Sequence, residues 1–209
     1  MQPAQQIGYL SSLGLALVGI VYVGVVIHGI LEVGFDKPIK DPILGVMEVL
    51  TLLCAPLVVV LMASIYVTAA QEHKLYGLIA LSFGVIMAGL TSAVHFVALT
   101  TGRQTDFAVL VWPSTLYAVE LLAWDVFLGL SLLFAAVTFP GTGLRNAVRW
   151  SLVTAGGLSL LGAIGPVLGD MTLQRIGIFG YGVVLPIASL LLARFFASQQ
   201  ARVLAPESE

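Results

Sequence analysis

Six stretches of this chain are each long and apolar enough to cross a lipid bilayer, and that limits its fold more than any other feature. They fall at about 8–32, 43–70, 76–100, 113–138, 147–168 and 175–198. A helix needs about 20 predominantly apolar residues to span the hydrocarbon core. Lipid offers the backbone no hydrogen-bond partners, so segments of this length satisfy their own N–H and C=O groups as helices. Short polar or turn-forming segments separate them: Phe35-Asp36-Lys37-Pro38, Gln71-Glu72-His73-Lys74, Thr101-Gly102-Arg103-Gln104, Pro140-Gly141-Thr142-Gly143 and Gly169-Asp170-Met171-Thr172. Connections this short make consecutive helices antiparallel neighbours. The expected fold class is therefore an all-α membrane protein, a six-transmembrane-helix bundle with short loops, forming one domain over residues 1–198. Residues 199–209 are polar, end Pro-Glu-Ser-Glu, and are expected to form a disordered tail.

Composition agrees and excludes several function classes. Charged residues make up 10% of the chain and hydrophobic ones 59%, whereas soluble domains carry about 25% charge. A net charge of −2 without a dense basic cluster argues against a nucleic-acid partner. Cys54 is the lone cysteine, which excludes an intrachain disulfide framework and fits a packing role. The first run has no basic flank and no clear cleavage site, so it reads as a retained span. The expected location is multi-pass, in a bacterial-type plasma membrane. With six spans the termini share a side with Lys74, Arg145, Arg149, Arg194 and Arg202, against Lys37, Lys40, Arg103 and Arg175 opposite. That five-to-four ratio leans toward cytoplasmic termini.

Ionisable residues inside the spans point to where function resides. His28 and Glu32 close the first run, Glu48 opens the second, His95 comes late in the third, and Glu120 and Asp125 lie within the fourth. A charged side chain at the bilayer centre costs roughly 2.5–3.5 kcal/mol on insertion scales, so such groups generally face the bundle interior with a partner. Topology brings His28, Glu32, Glu48 and His95 toward the face opposite the termini. Trp112-Pro113 reads as an interfacial anchor followed by a helix start, proline being tolerated at the first helical position. From there, at about 1.5 Å per residue, Glu120 lies roughly 10 Å deep and Asp125 nearer the middle.

Periodicity refines the facing. Gly24, His28 and Glu32 recur every four residues, as do Ala80, Gly84, Ala88 and Ser92, with Thr91 and His95 beside that second line. Small residues at such spacing let helices approach closely in lipid, and the same faces allow oligomerisation. Both seams are therefore expected to face inward. Asp125 lies about 140° round the helix from Glu120, so the two acids need not share a partner. Tyr117 and Trp124 sit beside Glu120 and would supply an aromatic wall. The glycines around Pro166 predict a close-packed or bent outer end for span five, and Pro186 a kink in span six near Tyr181.

These residues support three chemistries. The first is a buried polar pocket of His28, Glu32, Glu48, His95, Tyr117, Glu120, Trp124 and Asp125 that binds an ion, a proton or a small ligand, for transport or sensing. The second is a divalent metal on His28, His95, Glu48 and Glu120, serving hydrolysis of a lipid-like substrate. Histidines, an acid and a serine spread over several helices are a pattern that the alkaline ceramidase and adiponectin-receptor superfamily also has. That superfamily has seven spans and a late paired His-xxx-His, and spans five and six here contain no histidine, so the resemblance is not adopted. The third is a b-type haem between His28 and His95. Against all three stands a structural or accessory subunit. No nucleotide loop, nucleophile elbow, His-Glu-x-x-His or Cys-x-x-Cys motif occurs. The bilayer is the one partner that composition itself implies.

Overall fold

The computed structural model describes residues 3–34, 37, 39–104 and 111–204. Among them, six helices are long and apolar enough to cross a membrane: Pro3–Val33, Ile43–Thr68, Gln71–Gly102, Thr115–Val137, Leu144–Leu168 and Met171–Gln199. They are called spans one to six, and the described residues include no strand. The helices outrun the apolar stretches at several ends, because Gln5, Gln6 and the Gln71–Lys74 segment suit a helix even where they do not suit lipid. Span six likewise continues as helix to Leu204, into the segment expected to be a tail. Residues 205–209 lie outside the described residues.

The six spans form a ring in sequence order. Each packs on its chain neighbours, and span six returns to pack along span one. The surface is inverted relative to a soluble protein. On span one Leu10, Leu17, Ile20 and Leu31 point outward while Ser11, Ser12 and Ala16 are buried. The buried serines return their hydroxyls to the carbonyl of Gly8, so neither hydroxyl is left unpaired. Toward the termini the ring is filled with side chains, among them Val58, Leu61, Met62, Met87, Leu128 and Leu192. The other half is less completely filled, and Glu48, His95 and Glu120 are there.

Close approach at small residues holds neighbouring spans together, because lipid supplies no hydrophobic drive between helices. A Cβ on Gly156 would come within 2.7 Å of the Gly129 carbonyl oxygen, and one on Gly162 would collide with the backbone of Gly177. The span-three seam faces inward, with Ala80, Gly84, Ala88, Thr91 and His95 buried and Ser92, expected on the same line, only half-buried; the Ser131 hydroxyl donates to the Ala80 carbonyl at 2.8 Å.

The helices also depart from regularity where the sequence predicts it. Span five breaks at Ala163, between Gly162 and the short helix Ile164–Leu168 that holds Pro166. It ends on Gly169 in the left-handed conformation, φ +72°, where a missing Cβ is an advantage. Asp170 then caps span six by accepting from the Thr172 and Leu173 amides. Before Pro186, residues Gly180–Val184 widen into a π-helical turn. The proline ring cannot tolerate the carbonyl four residues back, and the i→i+5 pattern moves that carbonyl aside.

The start of span four needs a correction. Pro113 is not its first helical residue. The helix begins at Thr115, capped by Ser114, whose side chain accepts from the Tyr117 amide at 3.2 Å. A serine oxygen satisfies an orphan N–H that a proline cannot.

Gly156→Leu is expected to lower the unfolding free energy in detergent by about 1–3 kcal/mol through overpacking. Gly157→Leu, where a Cβ meets nothing within 4 Å, is expected to be neutral or slightly stabilising. Equal thermal midpoints for the two variants would contradict this packing.

Candidate functional site

Glu48 lies five residues into span two, Glu120 five residues into span four, and His95 seven residues before the end of span three. At about 1.5 Å per residue all three sit roughly 7–11 Å below the same end of the ring. His95 Nε2 and Glu120 Oε1 are 2.8 Å apart, joining spans three and four, and both residues are buried. His95 therefore reaches across to an acid on the next span. It does not bond Thr91 on its own helix, and the Thr91 hydroxyl is buried without a hydrogen-bond partner among the described residues.

Above this pair lies an ionic bridge that the sequence did not reveal. The Arg103 guanidinium donates to Asp41 Oδ1 at 2.8 Å and comes within 3.8 Å of Glu48 Oε2. It occupies the space that a Cβ on Gly45 would fill. Asp41 also accepts from the Gly45 amide at 3.0 Å, holding the first turn of span two. Both partners come from segments that read as loops, so they raised no signal as intramembrane charges.

Between these groups is a cavity of about 950 Å³, lined by spans one, two, three, four and six. Lys40, Asp41 and Arg103 stand at its outer end. Glu48, His95 and Glu120 lie further in, and Leu15, Cys54, Leu121 and Leu185 form apolar walls. Aromatic rings complete it. Trp124 and Tyr181 have centroids 5.2 Å apart, Tyr117 lies edge-on to Trp112, and Tyr22 faces the cavity from span one. Trp124 belongs to a π-helical turn at Leu122–Leu128, and similar turns at Ala98–Gly102 and Gly180–Val184 also give residues to the lining. Such turns re-aim side chains and recur at functional sites.

Four cavity-lining residues carry a buried polar atom with no hydrogen-bond partner among the described residues: Glu48 Oε2, His95 Nδ1, Glu120 Oε2 and Trp124 Nε1. Buried polar atoms in native proteins are ordinarily paired, so four orphans around one cavity call for an explanation.

The other acid of span four is separate. Asp125 is fully buried and accepts from Gln174 Nε2 at 3.2 Å, and the same amide donates to the Tyr181 hydroxyl at 3.1 Å. Its oxygen fills the space a Cβ on Gly177 would take. The two acids thus have different partners, as their angular offset predicts. Gln174 was overlooked because the apolar run of span six starts one residue later.

His28 and Glu32 are not brought to the cavity. Both are exposed on the outer surface of span one, as is Gly24, which corrects the expectation that this seam faces inward. The inward stripe runs Gly8, Ser12, Leu15, Gly19, Tyr22, Val26, Gly29, in alternating steps of four and three. His28 is one residue from that stripe at Gly29, about 100° round the helix. The expected metal set of His28, His95, Glu48 and Glu120 is accordingly not assembled. Among the described residues no three His, Cys, Asp or Glu side chains stand together as metal ligands. A haem between His28 and His95 is likewise not supported, because spans one and three are not adjacent in the ring and His28 faces outward.

No family model, curated protein or solved structure matches the chain. The site's own geometry therefore has to carry the functional argument.

Stability cycles should separate the two polar groups. Alanine double mutants are expected to couple His95 with Glu120, and Asp125 with Gln174, by about 0.5–3 kcal/mol each, while His95 with Gln174 adds within about 0.5 kcal/mol. Strong coupling across the two groups would mean a single network.

Proposed function

We propose that this multi-pass membrane protein binds a small amphiphilic ligand in the cavity between its spans, entering from the face opposite the termini, for transport or sensing. The observation that carries this reading is the set of four orphaned polar atoms on residues lining one cavity. Each unpaired buried group costs about 1–3 kcal/mol, and four of them gather on the lining of this one cavity. A binding site leaves such atoms for the ligand to complete. The volume agrees with small-molecule sites, which run about 300–1,000 Å³ and combine apolar walls with a few placed polar groups.

The lining also resembles a binding site in its construction. The helices that bear it are irregular there, and the polar groups are fixed by neighbours: Glu120 by His95, and Arg103 by Asp41. A scaffold subunit needs neither a cavity nor fixed unpaired acids. Glu48, His95, Tyr117, Glu120 and Trp124 are the residues assigned to ligand contact. Asp125 acts behind them, because Gln174 ties it to the cavity-lining Tyr181.

The test uses purified protein in nanodiscs and three probes of equal length: hexylammonium, hexanoate and hexanol. At least one is expected to raise the thermal midpoint saturably and to give a binding isotherm by titration calorimetry. Gly182→Phe places a ring where a Cβ meets only one atom, at 3.8 Å, and is expected to abolish binding while the protein stays folded. If none of the probes binds, or if Gly182→Phe leaves binding unchanged, the pocket reading fails.

A further inference from the structure

The unpaired atoms define the ligand more narrowly than the cavity's size does. This argument rests on the pocket reading above and concerns what the pocket prefers. In the His95–Glu120 contact a carboxylate can only accept, so Nε2 donates to Oε1. Glu120 Oε2 and Glu48 Oε2 are left as carboxylate oxygens, which accept hydrogen bonds, whereas Trp124 Nε1 can only donate.

Charge points the same way. Among the described lining residues the formal anions are Asp41, Glu48 and Glu120, and the cations are Lys40 and Arg103. Arg103 is engaged with Asp41 and leans on Glu48, and Lys40 is exposed at the outer end. Among the described lining residues no lysine or arginine stands beside Glu120, whose partner is His95. Tyr22, Tyr117, Trp124 and Tyr181 share the lining with that acid. Aromatic faces attract cations through their quadrupole.

We infer that the cavity selects an organic ammonium ion with an apolar body: its N–H groups complete the open carboxylate oxygens of Glu120 and Glu48, and its hydrocarbon part lies against Leu15, Leu121 and Leu185. A primary ammonium offers three donors and no acceptor, which suits two open carboxylate oxygens. Charge-assisted hydrogen bonds are the strong ones, so the headgroup sets the preference while the apolar walls bind any of the three probes about equally.

The same three probes decide it. Hexylammonium is expected to bind wild-type protein at least about tenfold more tightly than hexanol or hexanoate, one tenfold step being about 1.4 kcal/mol. Glu120→Gln, which keeps the shape but loses the charge, is expected to bring the ammonium within about threefold of the alcohol. Glu48→Gln should give a smaller loss of the same kind, and it serves as the readout if Glu120→Gln does not fold. Hexanoate or hexanol binding as well as hexylammonium to wild-type protein would overturn the ammonium preference and leave the pocket intact. An ammonium preference that survives both glutamine variants would also overturn it. No binding by any probe would remove both.

Discussion

Helix association in lipid depends on how closely backbones can approach, because the surroundings are as apolar as the side chains. This fold is arranged around that constraint. Where spans four and five meet, Gly129 and Gly156 bring the helices together. Where five and six meet, Gly162 and Gly177 do. Span six reaches span one through Phe196 against Gly8 and Pro186 against Gly19. Each contact joins chain neighbours or closes the last span on the first, so the bundle becomes a ring. A ring of six helices encloses more volume than two or three packed helices do. Toward the termini that volume is taken up by Leu, Met and Phe side chains, and at the other end it is left as the cavity.

The chemistry follows from what occupies the rim of that space. Acids and a histidine at matched depth on spans two, three and four can turn inward only because the interior there is open. His95 and Glu120 satisfy one atom each through their contact and leave a second atom each without a partner. Arg103 and Asp41 bridge the first turn of span two to the end of span three at the outer end, and Gly45 supplies the room. The polar groups are thus held in place by protein contacts and yet incompletely satisfied, the state of a site prepared for something to enter.

Much of this was legible from sequence for a physical reason. Membrane thickness fixes depth, so counting residues from the ends of the apolar runs placed Glu48, His95 and Glu120 at one level. The span-three seam was legible because small residues repeat along it for a full helix. Facing on span one was not. A four-residue repeat such as Gly24, His28, Glu32 looks like a seam, but the true inward stripe alternates steps of four and three and passes through Tyr22 and Val26. Near a span end an exposed histidine or glutamate reaches the headgroups at little cost, so intramembrane position alone did not argue for burial there. Arg103, Asp41 and Gln174 lie just outside the apolar runs, and hydropathy ranks such residues as loop. The π-helical turn at Leu122–Leu128 left no trace in the sequence, for it contains no proline or glycine.

The central claim is that the ring encloses a cavity open to small molecules, and the chain's single cysteine tests it directly. Cys54 is buried, 7% exposed, and lines the apolar end of the cavity. The measurement is the rate at which methyl methanethiosulfonate, small and neutral, modifies Cys54 in folded protein, followed by mass spectrometry. The account predicts modification well below the unfolding temperature, with the thermal transition unchanged in the absence of reagent. A thiol that stays unmodified until the protein unfolds would contradict it, and the ring would then be a packed bundle with no accessible space at its centre.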